Sequence, residues 1–293
     1  MVEKDRVQQT IMHVFMILLA LCCVLPFLLM VMASFTDEAT LIQNGYSFFP
    51  KKFSLATYSY IFKSATTIFH GYFMTILVTV VGTLANLTLT ILFAYPLSRK
   101  DLPFRGPISF FLFFTMLFNG GLVPTYMMYA NTFHINNTIW ALIVPSLMMN
   151  AFYVIMMRSF FSSSIPDSLI EAAKLDGASE MKVLWSVVIP LSKPMIVTLV
   201  LMVGLNYWND WMNGLYYVSD QNLNTIQMIL NNMISNINFL SKNAALFGAT
   251  KVALPTVGIR MAIAVTAVLP VMVIYPFLQK YFVKGIVIGG VKG

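Results

Sequence analysis

Amide, carboxylate and aromatic side chains are concentrated in "NYWNDW", residues 206–211, within an otherwise apolar run. Amides and carboxylates hydrogen-bond hydroxyl groups, and aromatic rings stack on apolar faces, so this composition suits a passage for sugars. The candidate pathway residues are Asn206, Trp208, Asn209, Asp210 and Trp211. The alternative is structural: the same groups could bond neighbouring helices or anchor a helix at the membrane interface.

Patterns for other chemistries are missing from the sequence. It has no G-x-x-x-x-G-K-[ST] loop to cradle nucleotide phosphates, and its three histidines lack metal-ligand spacing. No Ser/His, His/Glu or paired-carboxylate arrangement is recognisable in the apolar runs. The basic residues form no cluster interleaved with aromatics, which argues against nucleic acid. We therefore expect no enzyme activity, no metal and no cofactor in this chain.

The composition is that of a membrane protein. Of the 293 residues, 58% are hydrophobic and 10% are charged, against about 25% charged in an average soluble domain. A bilayer crossing needs roughly 20 apolar residues per helix, and six segments meet that length. We predict an all-α membrane protein forming a single transmembrane domain, 1–293, with spans near 11–33, 72–97, 107–129, 138–158, 194–217 and 256–279.

The distribution of lysine and arginine predicts the orientation of these spans. With the N-terminus inside, twelve of the 18 basic residues fall in the inner segments, and six are spread over two much longer outer loops. Basic residues near span ends tend to stay cytoplasmic. We therefore expect both termini, and the loop 160–193, on the cytoplasmic side of a bacterial cell membrane.

The loop 160–193 contains a charged stretch, "EAAKLDGASEMKVLWSVVIP", between runs that carry almost no charge. Ser164 and Asp167 fit a capping box, which predicts a helix beginning there. Gly177 can adopt a positive φ and should end that helix in a sharp turn. A second short helix is expected to end before Pro190. Glu171 and Lys174 lie at i and i+3, so they can pair on one face.

Two surfaces could receive this charged segment. An amphipathic helix on lipid headgroups would carry a basic polar face. Here the first helix carries Asp167, Glu171 and Asp176 against Lys174 alone, which matches an anionic leaflet poorly. An acidic face with small residues suits a groove on another protein better.

The order Glu171-Ala172-Ala173, three residues, Gly177, then Val187, Ile189 and Pro190 resembles the EAA loop of ABC-importer permeases. "SIPDSLIEAAKLDGAS" and "LSKP" resemble its carbohydrate-uptake, maltose-type branch. "AYPLSRKDLPFRG", "YWNDW" and "LQKYFVKGIVIGGVKG" extend the likeness over most of the chain. "NGGLVPTY", residues 119–126, resembles a subgroup associated with oligosaccharides and complex glycans.

The resemblance implies a six-helix type I importer domain whose EAA loop is a coupling helix seated in a cleft of a cytoplasmic ATPase. The implied partners are a second permease, forming a heterodimer, two ABC ATPase subunits that bind ATP and Mg, and an extracellular or periplasmic solute-binding protein. The resemblance also implies which residues contact the ATPase: Glu171, Ala172, Ala173, Leu175, Asp176 and Gly177.

Two other classes of protein compete with this interpretation. An ion-coupled secondary transporter would need intramembrane charges and paired broken helices, and Asp210 stands nearly alone. An intramembrane enzyme lacks a recognisable catalytic arrangement. One helix break is expected, because Asn119-Gly120-Gly121 and Pro124 interrupt the third span, as a kink or as a gate.

Overall fold

The computed structural model describes residues 5–63, 65–242 and 256–289. Within these ranges the chain is helical, and its extended backbone pairs only in an isolated antiparallel bridge between Thr36 and Phe53. The expected all-α fold is confirmed for these residues. The α-helices are α1 Asp5–Ser34, α2 Glu38–Asn44, α3 Ala56–Lys63, α4 Ala65–Ser98, α5 Arg105–Leu117, α6 Leu122–Met127, α7 Trp140–Ile143, α8 Ala151–Ser164, α9 Asp167–Leu175, α10 Glu180–Val183, α11 Ile189–Leu191, α12 Lys193–Asn209, α13 Met212–Tyr217, α14 Ile226–Lys242 and α15 Thr256–Gly289. Met128–Thr132 and Leu184–Val188 are π-helical, and Gln221–Leu223 is a 3-10 turn.

Among the described residues, Gln8–Ser34 and Thr66–Ser98 are each long and apolar enough to cross a membrane. Two bent pairs, Arg105–Leu117 with Leu122–Thr132 and Glu180–Leu191 with Lys193–Asn209, would raise the number to four if each is one span. The segment Val257–Val273 is a shorter apolar helix. Six crossings within a single domain therefore stay a prediction.

The chain divides into two compact units, the first made of Met1–Ile68 and Leu230–Met272. This unit is closed by Glu38 of α2, whose two carboxylate oxygens each accept a backbone N–H of α15 at 2.9 Å, from Val257 and from Gly258. A carboxylate suits this position because the first N–H groups of a helix have no intrahelical acceptor and carry partial positive charge. A Cβ on Gly258 would lie 2.7 Å from Thr57 Oγ1, so α15 and α3 approach each other closely at this glycine.

The second unit, Phe69–Ile229 and Val273–Gly293, contains the main hydrophobic core. The core is formed by apolar side chains of α4, α8, α10 and α12, such as Val78, Val154, Val183 and Leu199. Gly82 of α4 allows the closest approach, since a Cβ there would lie 2.5 Å from the ring of Tyr207, which is 2% exposed. The absence of a side chain at residue 82 is therefore what lets α4 and α12 pack.

The predicted span 138–158 is interrupted by irregular backbone between α7 and α8, with Ser146 at φ 60°. Three carbonyls at the end of α7 and in this interruption accept side-chain hydrogen bonds from other elements: Ile143 O from Tyr207 Oη at 2.9 Å, Pro145 O from Asn213 Nδ2 at 2.9 Å and Leu147 O from Asn86 Nδ2 at 2.7 Å. Carbonyls freed from a helix in an apolar setting need such partners. These three hydrogen bonds therefore stabilise the interruption as part of the fold.

Candidate functional site

The elbow segment, residues 167–191, comprises α9, α10 and α11 and carries the predicted coupling residues. Its first helix ends in a Schellman motif, in which Ala178 N–H donates to Ala173 O and Gly177 N–H donates to Lys174 O, at 3.0 and 2.9 Å. Gly177 lies at φ 78°, so the predicted sharp turn with a positive φ is confirmed.

Two predicted boundaries of the elbow segment are wrong. The capping box does not form: Ser164 is the last residue of α8, and the N-cap of α9 is Pro166, whose ring has no atom that accepts a hydrogen bond. The second helical piece passes through Pro190 and ends at Leu191. Proline is tolerated there because it occupies the first turn of α11, where a missing N–H costs little.

The predicted coupling residues lie mostly on an open face. Glu171, Ala172, Leu175, Asp176 and Gly177 are exposed, whereas Ala173 is half-buried against the hydrophobic core. Leu175 is 89% exposed, whereas leucine is among the residues most often buried in folded proteins. Apart from Gly177 and its two chain neighbours, no atom of the described residues lies within 4 Å of the place that a Cβ on Gly177 would take. This face could accept another protein surface without rearrangement.

The predicted pairing of Glu171 with Lys174 is wrong. Lys174 Nζ forms its ion pair with Glu180 Oε1, across the turn at Gly177. Glu180 Oε2 accepts a second hydrogen bond from Tyr95 Oη of α4, at 2.6 Å. These hydrogen bonds, from Lys174 first and then from Tyr95, hold the pKa of Glu180 below its ordinary value. The pairing differs because the turn brings α10 back beside α9, which local spacing does not reveal.

The beginning of α9 is held by the basic turn after α4. Lys100 Nζ lies 3.1 Å from Asp167 Oδ2, and Arg99 Nη1 lies 3.7 Å from Asp167 Oδ1. The hydrogen bond from Lys100 lowers the pKa of Asp167. The stretch "AYPLSRKDLPFRG" resembles the family's basic turn, but the resemblance assigns no role to Tyr95. The signal that could have singled it out is a tyrosine near the end of an apolar run, four residues before Arg99.

The ionisation of Glu180 gives a testable pH dependence. Because the folded-state pKa is lower than the ordinary 4.5, the stabilising contribution is present above that pH and is lost as the pH falls through the folded-state pKa. Thermal unfolding in detergent should show Glu180→Gln slightly less stable than the wild type at neutral pH, with the difference vanishing in strong acid. An equal difference at both pH values would contradict this assignment.

The helix-break pocket is a cavity of about 370 Å³ in the second unit. Its lining residues lie in or next to three segments that separate successive helices, those between α5 and α6, between α7 and α8, and between α12 and α13. The bend between α5 and the segment after it is 113°, with Gly121 at φ 88°, which confirms the predicted break. The lining residues are Asn119, Gly121, Leu122, Thr125, Ser146, Leu147, Asp210, Met212, Asn213, Tyr216 and Tyr217.

Of the five predicted pathway residues, Asp210 lines the helix-break pocket. It follows the last residue of α12, and its Oδ1 accepts the first N–H groups of α13, those of Met212 and Asn213, at 3.2 and 3.4 Å.

The other four predicted pathway residues lie outside the lining of the pocket. Asn206 Nδ2 donates to Tyr153 Oη at 2.8 Å, Asn209 Nδ2 donates back to Leu205 O, and Trp208 is buried near Tyr72. Trp211 is partly exposed. Their part in a pathway stays a prediction. The lining residues that the prediction omitted include Tyr216 and Tyr217, which lie in α13, five and six residues after Trp211.

Comparisons with known proteins agree with this architecture. Residues 87–288 match the family model described as binding-protein-dependent transport system inner membrane component. The chain is 37% identical over 290 residues to the polygalacturonan/rhamnogalacturonan transport system permease protein YtcP of Bacillus subtilis, covering 99% of this chain and 100% of that one. It is 40% identical over 272 residues to protein LplC of the same organism, covering 92% and 90%. A crystal structure of a bacterial ABC transporter involved in the import of the acidic polysaccharide alginate matches with a TM-score of 0.80 at 28% identity, covering 96% of this chain and 99% of that one.

Proposed function

Because this chain belongs to the family of binding-protein-dependent transport system inner membrane components, and is a membrane-embedded permease subunit of an ABC importer, we propose that its cargo is a carbohydrate, specifically an oligosaccharide. The names of YtcP and of the alginate importer support a carbohydrate, since both describe transport of polysaccharides. The residues lining the helix-break pocket support it further, because they combine amide, hydroxyl, carboxylate and tyrosine groups.

The proposed assembly pairs this chain with a second permease, two cytoplasmic ABC ATPases and an external solute-binding protein. ATP and Mg would be bound by the ATPases, since this sequence contains no G-x-x-x-x-G-K-[ST] loop. The excess of lysine and arginine in the inner segments supports the orientation, with both termini and the elbow segment in the cytoplasm.

The face of α9 and its following turn is the proposed ATPase contact. The observation that carries this assignment is Leu175, a leucine 89% exposed beside an open, acidic turn. Burying a leucine side chain contributes about 1.5–3 kcal/mol, so a partner surface covering it gains a large share of its affinity there. Ala173 is half-buried and packs against the hydrophobic core, so it positions the exposed face and is not itself part of the proposed contact.

Uptake by reconstituted vesicles tests the proposed function against an ion-coupled secondary transporter. We expect oligosaccharide uptake to require ATP, the ATPases and the binding protein, and to persist when ion gradients are collapsed. Uptake by this chain alone, driven by a proton or sodium gradient, would favour the secondary transporter.

Asp210 provides a test of the pathway through the helix-break pocket. Asp210→Asn removes the negative charge but keeps a side-chain oxygen that can accept the first N–H groups of α13. We expect the KM for uptake to rise about tenfold, since a hydrogen bond to a charged group contributes about 1.5–3 kcal/mol.

Two comparisons make the Asp210 test specific. Tyr216→Phe removes one lining hydroxyl and should raise the KM less than Asp210→Asn does. Trp208→Ala examines a predicted residue outside the lining, and a normal uptake and substrate range in that variant would count against a pathway role for Trp208. An unchanged KM in Asp210→Asn would remove the pocket from the pathway.

A further inference from the structure

Two places in the elbow segment are bonded to residues 95–100, which comprise the end of α4 and the basic turn after it. At the beginning of α10, Tyr95 Oη donates to Glu180 Oε2 at 2.6 Å, and Lys174 Nζ pairs with the other oxygen of the same carboxylate. At the beginning of α9, Lys100 Nζ lies 3.1 Å from Asp167 Oδ2. Glu180 is thus the carboxylate of the described elbow segment that joins α4, α9 and α10.

From Tyr95 toward its N-terminal end, α4 passes Asn86, which bonds a residue that lines the helix-break pocket. It is one helix of 34 residues, which corresponds to a length of about 50 Å at 1.5 Å per residue. Asn86, nine residues before Tyr95 and 1% exposed, donates to the carbonyl of Leu147 at 2.7 Å. Leu147 lines the pocket. An axial displacement of α4 at Tyr95 therefore displaces a residue bonded to the pocket wall.

We propose that Glu180 is the joint through which movement of the elbow segment is transmitted to α4, with Tyr95 and Lys174 as its two positioning partners. This inference rests on the proposed docking of an ATPase on α9, and it adds the path that leads from that surface to the pocket. Glu180 is not part of the docking surface, since its two carboxylate oxygens are turned toward Tyr95 and Lys174.

Apolar packing also holds α10 against the bundle, notably through Val183, which is fully buried. Apolar contacts are non-directional, so they keep two surfaces together without fixing their register. Hydrogen bonds weaken steeply when they are misaligned, so the bonds at Glu180 resist sliding of α10 along α4. Because the Lys174–Glu180 pair is partly exposed, it contributes little to stability. Its loss should therefore impair transmission more than folding.

Three variants test the joint in the assembled transporter. Glu180→Gln removes the charge, Tyr95→Phe removes the hydroxyl, and the double variant Lys174→Glu with Glu180→Lys reverses the ion pair. Tyrosine hydroxyls both donate and accept, so Tyr95 can bond either residue at position 180. Lys182→Gln is the matched control, because Lys182 is an exposed charge on the same helix. The readouts are copurification of the ATPases and uptake per ATP hydrolysed.

We expect Glu180→Gln to retain the ATPases and to lose about tenfold in uptake per ATP, the order of typical coupling between distant sites. The charge-reversed pair should recover most of that loss, and Lys182→Gln should match the wild type. Loss of ATPase copurification in Glu180→Gln would make Glu180 a docking residue and overturn the joint. Normal uptake per ATP, or no recovery in the reversed pair, would overturn it as well. Wild-type uptake independent of ATP would instead refute the proposed function itself.

A reporter cysteine measures the transmission directly. After Cys22→Ser and Cys23→Ser, Thr125→Cys places a thiol in the wall of the helix-break pocket. We expect its labelling rate to change several-fold when ATPases are trapped with vanadate, and we expect Glu180→Gln to abolish that change. The same change in both backgrounds would show that the movement reaches the pocket without Glu180.

Discussion

A chain carrying Gly177→Asp is expected to reach the membrane at the wild-type level and to lose more than about 99% of uptake. The position is open to solvent and has φ 78°, so aspartate adds a charged side chain on the docking face and about 1–2 kcal/mol of backbone strain. The added charge and the backbone strain both act at the turn that we propose as the ATPase contact. The measurement is uptake in cells normalised to the amount of chain in the membrane.

Companion variants separate strain from docking. Gly177→Ala imposes the positive φ without the charge, and should lose less uptake than Gly177→Asp. Glu171→Ala leaves the backbone unstrained and removes an exposed carboxylate, for which the structure shows no ion pair among the described residues. This variant too should abolish uptake. Unchanged transport in both Glu171→Ala and Gly177→Asp would refute the coupling assignment.

The second large effect concerns folding, at Gly82. A Cβ there would lie 2.5 Å from the ring of Tyr207, which is buried and held by its hydrogen bond to Ile143 O. The ring cannot move without breaking that bond, so Gly82→Ala should destabilise the chain by about 1–3 kcal/mol, as overpacking of a core does. A lower midpoint of thermal unfolding in detergent, and less folded chain in the membrane, would show it.

Two other glycines are matched controls for Gly82→Ala. A Cβ on Gly204 would meet its nearest neighbour at 3.7 Å, an ordinary contact, so Gly204→Ala should be neutral or slightly stabilising. A Cβ on Gly214 would overlap the side chain of Met228, which is flexible and can repack. The expected order of unfolding midpoints is Gly204→Ala, Gly214→Ala, then Gly82→Ala. Equal midpoints for all three would contradict the role given to Tyr207.

Local features of the elbow and of the first helix break could be predicted from the sequence. A glycine after a short amphipathic helix and the Gly120-Gly121 pair before Pro124 change the backbone at their own positions, so a short window of sequence contains the signal. The partner of Glu180 could not be predicted in this way. Tyr95 is 85 residues away, and the resemblance of its surroundings indicates a family without assigning that hydrogen bond.

The interruption between α7 and α8 was missed for the same reason. "ALIVPSLMM", residues 141–149, reads as part of an apolar span, and one proline inside a membrane helix is commonly tolerated. What opens the helix is the supply of donors from Asn86, Tyr207 and Asn213, which are 61, 64 and 68 residues distant. A single sequence does not indicate which distant side chains will satisfy a given carbonyl.

The contact of Glu38 with the beginning of α15 sets an order of events during synthesis. Its carboxylate bonds the N–H groups of residues 219 and 220 positions later in the chain. At about 5–20 residues per second, a ribosome needs roughly 10–45 s to travel that distance. Until then, the N-terminal end of α15 that Glu38 contacts in the folded chain has not been synthesised. The helices up to α13 come earlier in the chain and are synthesised first. The helices α4, α8, α10 and α12, which form the main hydrophobic core, can therefore pack before Glu38 meets the N-terminal end of α15.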